Sequence, residues 1–451
     1  MLLLTIQRNA KQSVFNQLVN QIVELIETGS VPEAYQMPST RHLSIQLGVN
    51  RSTIVKVYEE LWALGYLESN QGSYTKVRKR KSVSLNAKNY PDNLVDKRFN
   101  LKGKLLPKPE NLKSYSDLIF TEDDGCINLQ KLEPDPRLVD KKQMSACFRD
   151  LMGNENLNLF GYNHPLGYGP LRKAILAHMK MHSINAGDDN ILITNGSQNS
   201  LQLIFQAFIS PEDTIAISSP TYGMIIPLLK HYSPKVVEIP VVDTGIDLMA
   251  LNLILEKQKV KFLYNMPTFQ NPTGTTMPQD KREQLLNLCE KYGVIIIEDS
   301  IEEEMKFFGK VHLPIKSMDQ HNMVIYLGSF SKILAPGFRT GWIIAGRECI
   351  KQLSALKTIS DISSNTLTQA LLHQFCKRGY YELHIRKMLR IFRKRMKVAL
   401  KALKLQIPSN AATWIEPLGG FLIWIEILFP VKMKTDLEQH FLKFGVRITA
   451  G

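Results

Sequence analysis

The sequence predicts an α/β fold with a small, mainly helical head, and three observations predict it. Short apolar runs rich in β-branched residues, such as residues 294–297 and 323–327, end in acids or small polar turns, as buried parallel strands do. Roughly the first eighty residues carry apolar positions at helical spacing and end in a hairpin-like segment. The run from Ser329 to Trp342 sets Lys332 between two hydroxyls and follows it with Arg339.

In the head, residues 14–28 place Val14, Leu18, Ile22, Leu25 and Ile26 on one helical face. Ser39 or Thr40 caps a second helix, which runs through Leu43, Ile45 and Leu47 to a turn at Gly48. Asn50-Arg51-Ser52-Thr53 opens a third, continuing through Ile54, Val55, Val57, Tyr58, Leu61, Trp62 and Leu64 to Gly65. Residues 66–68 and 73–77 are strand-like and flank Asn70-Gln71-Gly72, a hairpin tip. Three helices and a hairpin read as a winged helix-turn-helix. Arg51, Ser52 and Thr53 stand at the N-terminus of the third helix with Lys56 one turn on, residue types that meet bases and phosphates. Arg41, Gln71 and Gly72 flank them. A protein-binding helical domain with solvated charges is the alternative, but polar helix starts combined with a polar wing favour double-stranded DNA.

Residues 79–113 follow as a basic linker, entered through Arg78-Lys79-Arg80-Lys81 and carrying Pro and Asn without a period. Residues 114–451 form the large domain. There the strand at 191–194 breaks at Gly196 into a helix over 200–208, and Ser197, Gln198 and Asn199 at its start offer N–H groups to an anion. The strand at 214–217 leads to Tyr222, and the strand beginning at Lys261 leads to Gln270-Asn271-Pro272. The strand at 294–299 delivers Asp299, and the strand at 323–327 delivers Ser329, Ser331 and Lys332, with Pro336-Gly337 turning the chain back to Arg339.

Those residue types in that order suit pyridoxal phosphate (PLP). Lys332 supplies the amine for a Schiff base, and the serines and Arg339 supply partners for a dianionic phosphate. Asp299 can pair with the pyridine nitrogen, Asn271 can bond the phenolic oxygen, and Tyr222 can stack on the ring. Each segment alone also reads as an ordinary strand end.

From about Thr121 onward the chain resembles the fold type I aminotransferases. The motifs are those just quoted, together with Phe160-Gly161-Tyr162-Asn163-His164-Pro165-Leu166-Gly167 and Leu171-Arg172. The resemblance implies a doubly wound sheet, a homodimer with sites at the subunit interface, and Tyr162 reaching the neighbour's phosphate. The head resembles the GntR-type winged helix in its Pro-Ser-x-Arg and its Asn-Arg-Ser-Thr-Ile-Val pattern. The combination resembles the MocR family of bacterial regulators and implies transcription control by a PLP-bound sensor of an amine or amino acid. An aminotransferase with an appended DNA-binding module is the other reading.

Two departures from that pattern bear on turnover. The tyrosine usual two places beyond the aspartate is replaced by Ile301, which cannot bond the phenolic oxygen. The chain also stops at Gly451, before the strand that carries the family's carboxylate-clamping arginine, so a C-terminally shortened small domain is expected, with Arg447 in its strand. Without the clamp an amino acid loses affinity and orientation, so either the sequence is incomplete or the chain binds PLP without handling amino acids in the ordinary way.

Composition agrees with an anionic partner. Among 451 residues, 56 are basic and 42 acidic, a formal charge of +14, and such a surface favours polyanions through counterion release. No apolar run reaches the roughly 18 residues of a membrane span, and Met1-Leu2-Leu3-Leu4 is too short for a secretory signal. The five scattered cysteines suit a reducing, cytoplasmic setting. His164, His178, His182 and His231 show no paired ligand pattern, and no metal is expected.

Overall fold

The computed structural model describes residues 2, 4–7, 12–68, 74–78, 125–153, 157–309, 312–430 and 434–449. It divides into two compact units, Met1–Lys102 and Gly103–Gly451.

The first unit contains α1 (Val14–Glu27), α2 (Thr40–Leu47), α3 (Arg51–Ala63), β1 (Leu67–Glu68) and β2 (Lys76–Val77). Ser13, Ser39 and Asn50 cap the three helices, their side-chain oxygens accepting from the N–H groups of Asn16, His42 and Ser52. Ser39, not Thr40, is the cap of α2, and Gly48 ends that helix in the left-handed conformation. Leu18, Ile22, Leu43, Ile54, Val57 and Leu61 are buried completely in one core, which Leu2 also enters. Burying each such side chain contributes about 1.5–3 kcal/mol. The buried face of α3 runs Ile54, Val57, Tyr58, Leu61, so Trp62 falls off the stripe and is exposed, as are Ile45 and Leu64. The Tyr58 hydroxyl donates to the Pro38 carbonyl at 2.8 Å and ties α3 to the approach to α2. β1 and β2 pair antiparallel, Leu67 opposite Val77. The tip residues Asn70, Gln71 and Gly72 and the linker 79–113 lie outside the described residues.

The second unit is built on one large sheet. After β3 (Ile127–Asn128), its strands are β4 (Ile191–Thr194), β5 (Thr214–Ser219), β6 (Lys235–Val242), β7 (Gly245–Ile246), β8 (Phe262–Asn265), β9 (Ile295–Asp299), β10 (Val324–Ser329) and β11 (Gly341–Ile344). The sheet order is β4-β11-β10-β9-β8-β5-β6-β7. Strands β10, β9, β8, β5 and β6 are mutually parallel, while β11 runs antiparallel to both of its neighbours. Both faces are covered. Ile193, Tyr326 and Ile344 pack on one side with the helices Gly169–Met181 and Tyr380–Gln406. Leu192, Ile325, Leu327 and Ile343 pack on the other with the helices Ser197–Phe208 and Arg347–Asp361. This is a doubly wound sheet. Two smaller pairs complete the unit: β12 (Ala412–Trp414) with β13 (Ile425–Ile427), and β14 (Val446–Arg447) with β3. Arg447 therefore lies in a small-domain strand, as its sequence position suggests.

Because β4, β5, β8, β9 and β10 point the same way, the residues that follow them gather along one edge of the sheet. This is where open α/β sheets bind ligands.

Candidate functional site

Lys332 follows β10 at that edge, its Nζ donating to the Leu132 carbonyl at 2.6 Å. Burial lowers its pKa, opposed by the nearby carboxylates of Glu302, Glu133 and Asp299, while the Arg339 guanidinium adds to the lowering. Asp299 ends β9 beside Leu327 of β10 and is completely buried. One of its oxygens accepts from the Tyr264 hydroxyl at 2.9 Å, and the other, Oδ1, has no hydrogen-bond partner among the described residues. Burial pushes the Asp299 carboxyl up to about 6, against the lowering effect of the Tyr264 hydrogen bond. Tyr222 lies within electrostatic reach of both Asp299 and Arg339, its phenol pushed up chiefly by burial.

Of the phosphate-binding candidates, Arg339 reaches the start of the helix Ser197–Phe208. That helix begins three residues earlier than its apolar spacing suggests, so Ser197, Gln198 and Asn199 form its first turn. Gly196 precedes them at φ +99°, and a Cβ there would lie 2.8 Å from Arg339 Nη2, so only glycine fits. Arg339, itself left-handed at φ 44°, crosses from the far side of the Pro336–Phe338 turn and donates to the Asn195 carbonyl at 2.9 Å. Asn199 accepts from the Asn195 N–H and Gln198 donates to the Met224 carbonyl, so these two side chains brace the loop and leave the backbone N–H groups for an anion. The Ser329 hydroxyl accepts from the Ser331 N–H and donates to the Thr340 carbonyl, whereas the buried Ser331 hydroxyl has no partner among the described residues.

Asn271 is half-buried in the loop after β8. Gln270 anchors that loop, donating to the Pro220 carbonyl at 2.8 Å and accepting from the Thr273 N–H at 2.9 Å. Tyr162 is not drawn into the cluster; its ring is 82 % exposed.

The structure adds residues that the sequence pattern does not single out. Tyr264 reads as one more apolar residue of β8, although an aromatic with a polar tip in a buried strand is a signal that its hydroxyl has a partner. Glu302 reads as part of a solvated acidic turn, yet it is 1 % exposed and is the strongest of the carboxylates acting on Lys332. Burial pushes its carboxyl up to about 7, and its Oε2 accepts from the Phe421 N–H. Ile301 packs in the apolar cluster with Tyr264 and Met266, so the position lacks a hydroxyl as expected, and an acid stands next to it.

These features fit PLP. A buried carboxylate oxygen and a buried serine hydroxyl stand without partners among the described residues, an arginine faces a helix start closed to side chains, and a lysine with a lowered pKa acts on the same carboxylate.

In the first unit, Arg41, Arg51, Ser52 and Lys56 are exposed and Thr53 is half-buried. Arg51 Nε lies 3.5 Å from Thr40 Oγ1, which joins the starts of α2 and α3. The Ser52 hydroxyl donates to the capping Asn50 at 3.0 Å. The polar start of α3 thus forms a solvent-facing basic surface.

Residues 15–77 match the model of the gntR family of bacterial regulatory proteins, and residues 135–434 match that of the class I and II aminotransferases, whose members use pyridoxal phosphate. The chain is 32 % identical to the HTH-type transcriptional regulator YdfD of Bacillus subtilis, covering 97 % of this chain and 89 % of that one. It is 35 % identical to aromatic-amino-acid aminotransferase 1 of Thermococcus litoralis, covering 76 % and 83 %. Its fold matches that of Pyrococcus horikoshii kynurenine aminotransferase in complex with PMP, with a TM-score of 0.72 and 32 % identity over 78 % of this chain and 87 % of that one. With both halves matched in one chain, the protein belongs to the MocR-type regulators, a GntR winged helix fused to a class I and II aminotransferase domain.

Proposed function

We propose that this chain is a cytoplasmic, homodimeric transcriptional regulator that binds DNA through residues 1–78 and senses an amine or amino acid at Lys332 within residues 114–451, with 79–113 as the connector. The observation that carries the reading is the unpaired Asp299 oxygen buried beside Lys332, in a chain whose head presents a basic helix start.

Bound PLP supplies an aldehyde that links reversibly to primary amines. Asp299 would hold its pyridine nitrogen protonated, Tyr222 would cover the ring and Asn271 would donate to the phenolic oxygen. Ser329, Ser331, Arg339 and the N–H groups of Ser197, Gln198 and Asn199 would hold the phosphate, with Tyr162 supplied by a second copy of the chain. Lys332 would hold the cofactor, and an amine effector would compete for that place; a free Lys332 would keep the Leu132 carbonyl as its acceptor, so the two states would differ in contacts and the effector could shift their populations. Arg51, Ser52, Thr53 and Lys56, flanked by Arg41 and by Gln71 and Gly72 of the wing, would face the duplex.

The test is a gel shift with the gene's own upstream DNA, PLP and a panel of amines and amino acids. The reading predicts a retarded band whose affinity changes with PLP plus one class of amine. Absence of retardation, or retardation indifferent to PLP and to every amine, would overturn it. The identity to an archaeal aminotransferase favours a second reading, turnover of amino acids at the same site. Keto-acid-dependent loss of an amino acid by the PLP-loaded chain would establish that second activity.

A further inference from the structure

A second cluster of chemically active side chains lies outside the cofactor site. His178 is in the last turn of the helix Gly169–Met181, and His182 follows one turn later at the C-cap. Their spacing of four residues puts both rings on one helix face. Glu304 comes to them from the turn after β9, accepting from His178 Nε2 at 2.7 Å and from His182 Nε2 at 2.8 Å through the same oxygen. One ligand atom from each residue lies within 4.8 Å of the other two. The side chains are only 10 %, 13 % and 16 % exposed, so the group is shielded.

We propose that His178, His182 and Glu304 form a divalent transition-metal site, with zinc the best fit. Two imidazoles and one carboxylate form a donor set that zinc takes with bonds of about 2.0–2.1 Å, leaving a fourth position for water. Glu303 Oε1 lies 3.9 Å from His182 Nδ1, outside hydrogen-bond range, is 3 % exposed and is paired with Lys306, so it would have to shift toward the ring to serve as the outer partner that metal-bound histidines use. His178 Nδ1 is buried with no partner among the described residues, so its ring is not committed to another bond that would resist reorientation. Magnesium and calcium prefer oxygen donors and do not suit the two imidazoles.

The ion would tie the end of the helix Gly169–Met181 to the turn that follows Asp299 and also carries Glu302. The site is independent of PLP, since none of its three ligands is among the PLP candidates.

The full chain, freed of metal by chelation, should bind one zinc ion per chain in a calorimetric titration. Cobalt should give the visible absorption of a four-coordinate site. His178→Ala, His182→Ala and Glu304→Gln should each weaken zinc by about 100-fold or more, and Glu303→Gln by about 10-fold, the scale of outer-partner effects. PLP uptake serves as the check that each variant is folded, and its failure in the wild-type chain would leave the zinc result readable. Absence of zinc binding by the wild-type chain would show a metal-free histidine–glutamate clamp and overturn the proposal. Full binding by the folded His178→Ala/His182→Ala double variant would place the ion elsewhere and overturn it equally.

Discussion

The starts of α3 and of the helix Ser197–Phe208 use the same physics to opposite ends. Both present polar residues at a helix N-terminus, which is capped at α3 by Asn50 and left with its first N–H groups open at Ser197. At α3 the charges are solvated: Arg51, Ser52 and Lys56 are exposed, suited to a long polyanion that approaches from solvent. At Ser197 the helix start is half-buried and Arg339 is brought in from another loop, while the Ser331 hydroxyl and an Asp299 oxygen of the same unit are buried without partners among the described residues. An exposed helix start selects a surface and leaves specificity to a few side chains. An enclosed one selects a molecule whose groups pair with whatever the fold left unsatisfied, because each unpaired buried group costs about 1–3 kcal/mol until a ligand meets it.

The contrast can be broken most severely at Lys332. Lys332→Ala should abolish covalent capture of PLP while leaving DNA retardation by the ligand-free protein unchanged; loss of both would show that the two sites are not separable. Asp299 comes next. Its folded pKa, raised by burial to about 6 from 3.8, means that its ionised form is the destabilised one in the ligand-free protein. The stability associated with the protonated form is fully present below the unfolded pKa and is lost as pH rises through about 6. Asp299→Asn should therefore gain stability relative to wild type above pH 6, by about 3 kcal/mol at full effect, and show little gain near pH 4. Paired denaturant titrations at the two pH values check this, and a pH-independent difference would count against a buried, titrating Asp299. The same variant should lose PLP affinity, because the amide cannot hold the ring nitrogen protonated.

At the exposed site the effects are smaller. Arg51→Ala should cost about 1–3 kcal/mol of operator affinity with PLP uptake intact. Lys56→Ala should weaken binding evenly across DNA sequences and lower the slope of log affinity against log salt by about 1. A sequence-selective effect in fluorescence anisotropy would instead make Lys56 a base reader.

The sequence carried much of this fold on its surface, in the literal sense that strand runs and caps are local. Val14, Ser39, Asn50 and the apolar strands announce their elements because helix capping and strand burial are properties of short windows. Trp62 and Ile45 misled because adjacency to a buried stripe does not put a residue on it. Glu302 and the pairing of Tyr264 with Asp299 were hidden for a different reason: they depend on which loops the sheet order brings together, and an acidic run in sequence looks solvated until it is folded. The same applies to His178 and His182, whose four-residue spacing is visible in the chain but whose partner Glu304 is more than a hundred residues away.

The most direct test of the account is borohydride reduction of the PLP-loaded chain followed by peptide mass mapping. The account predicts one reduced pyridoxyl group per chain, on the peptide that contains Lys332. A group fixed on another lysine, or none on a chain that still retards DNA, would contradict it.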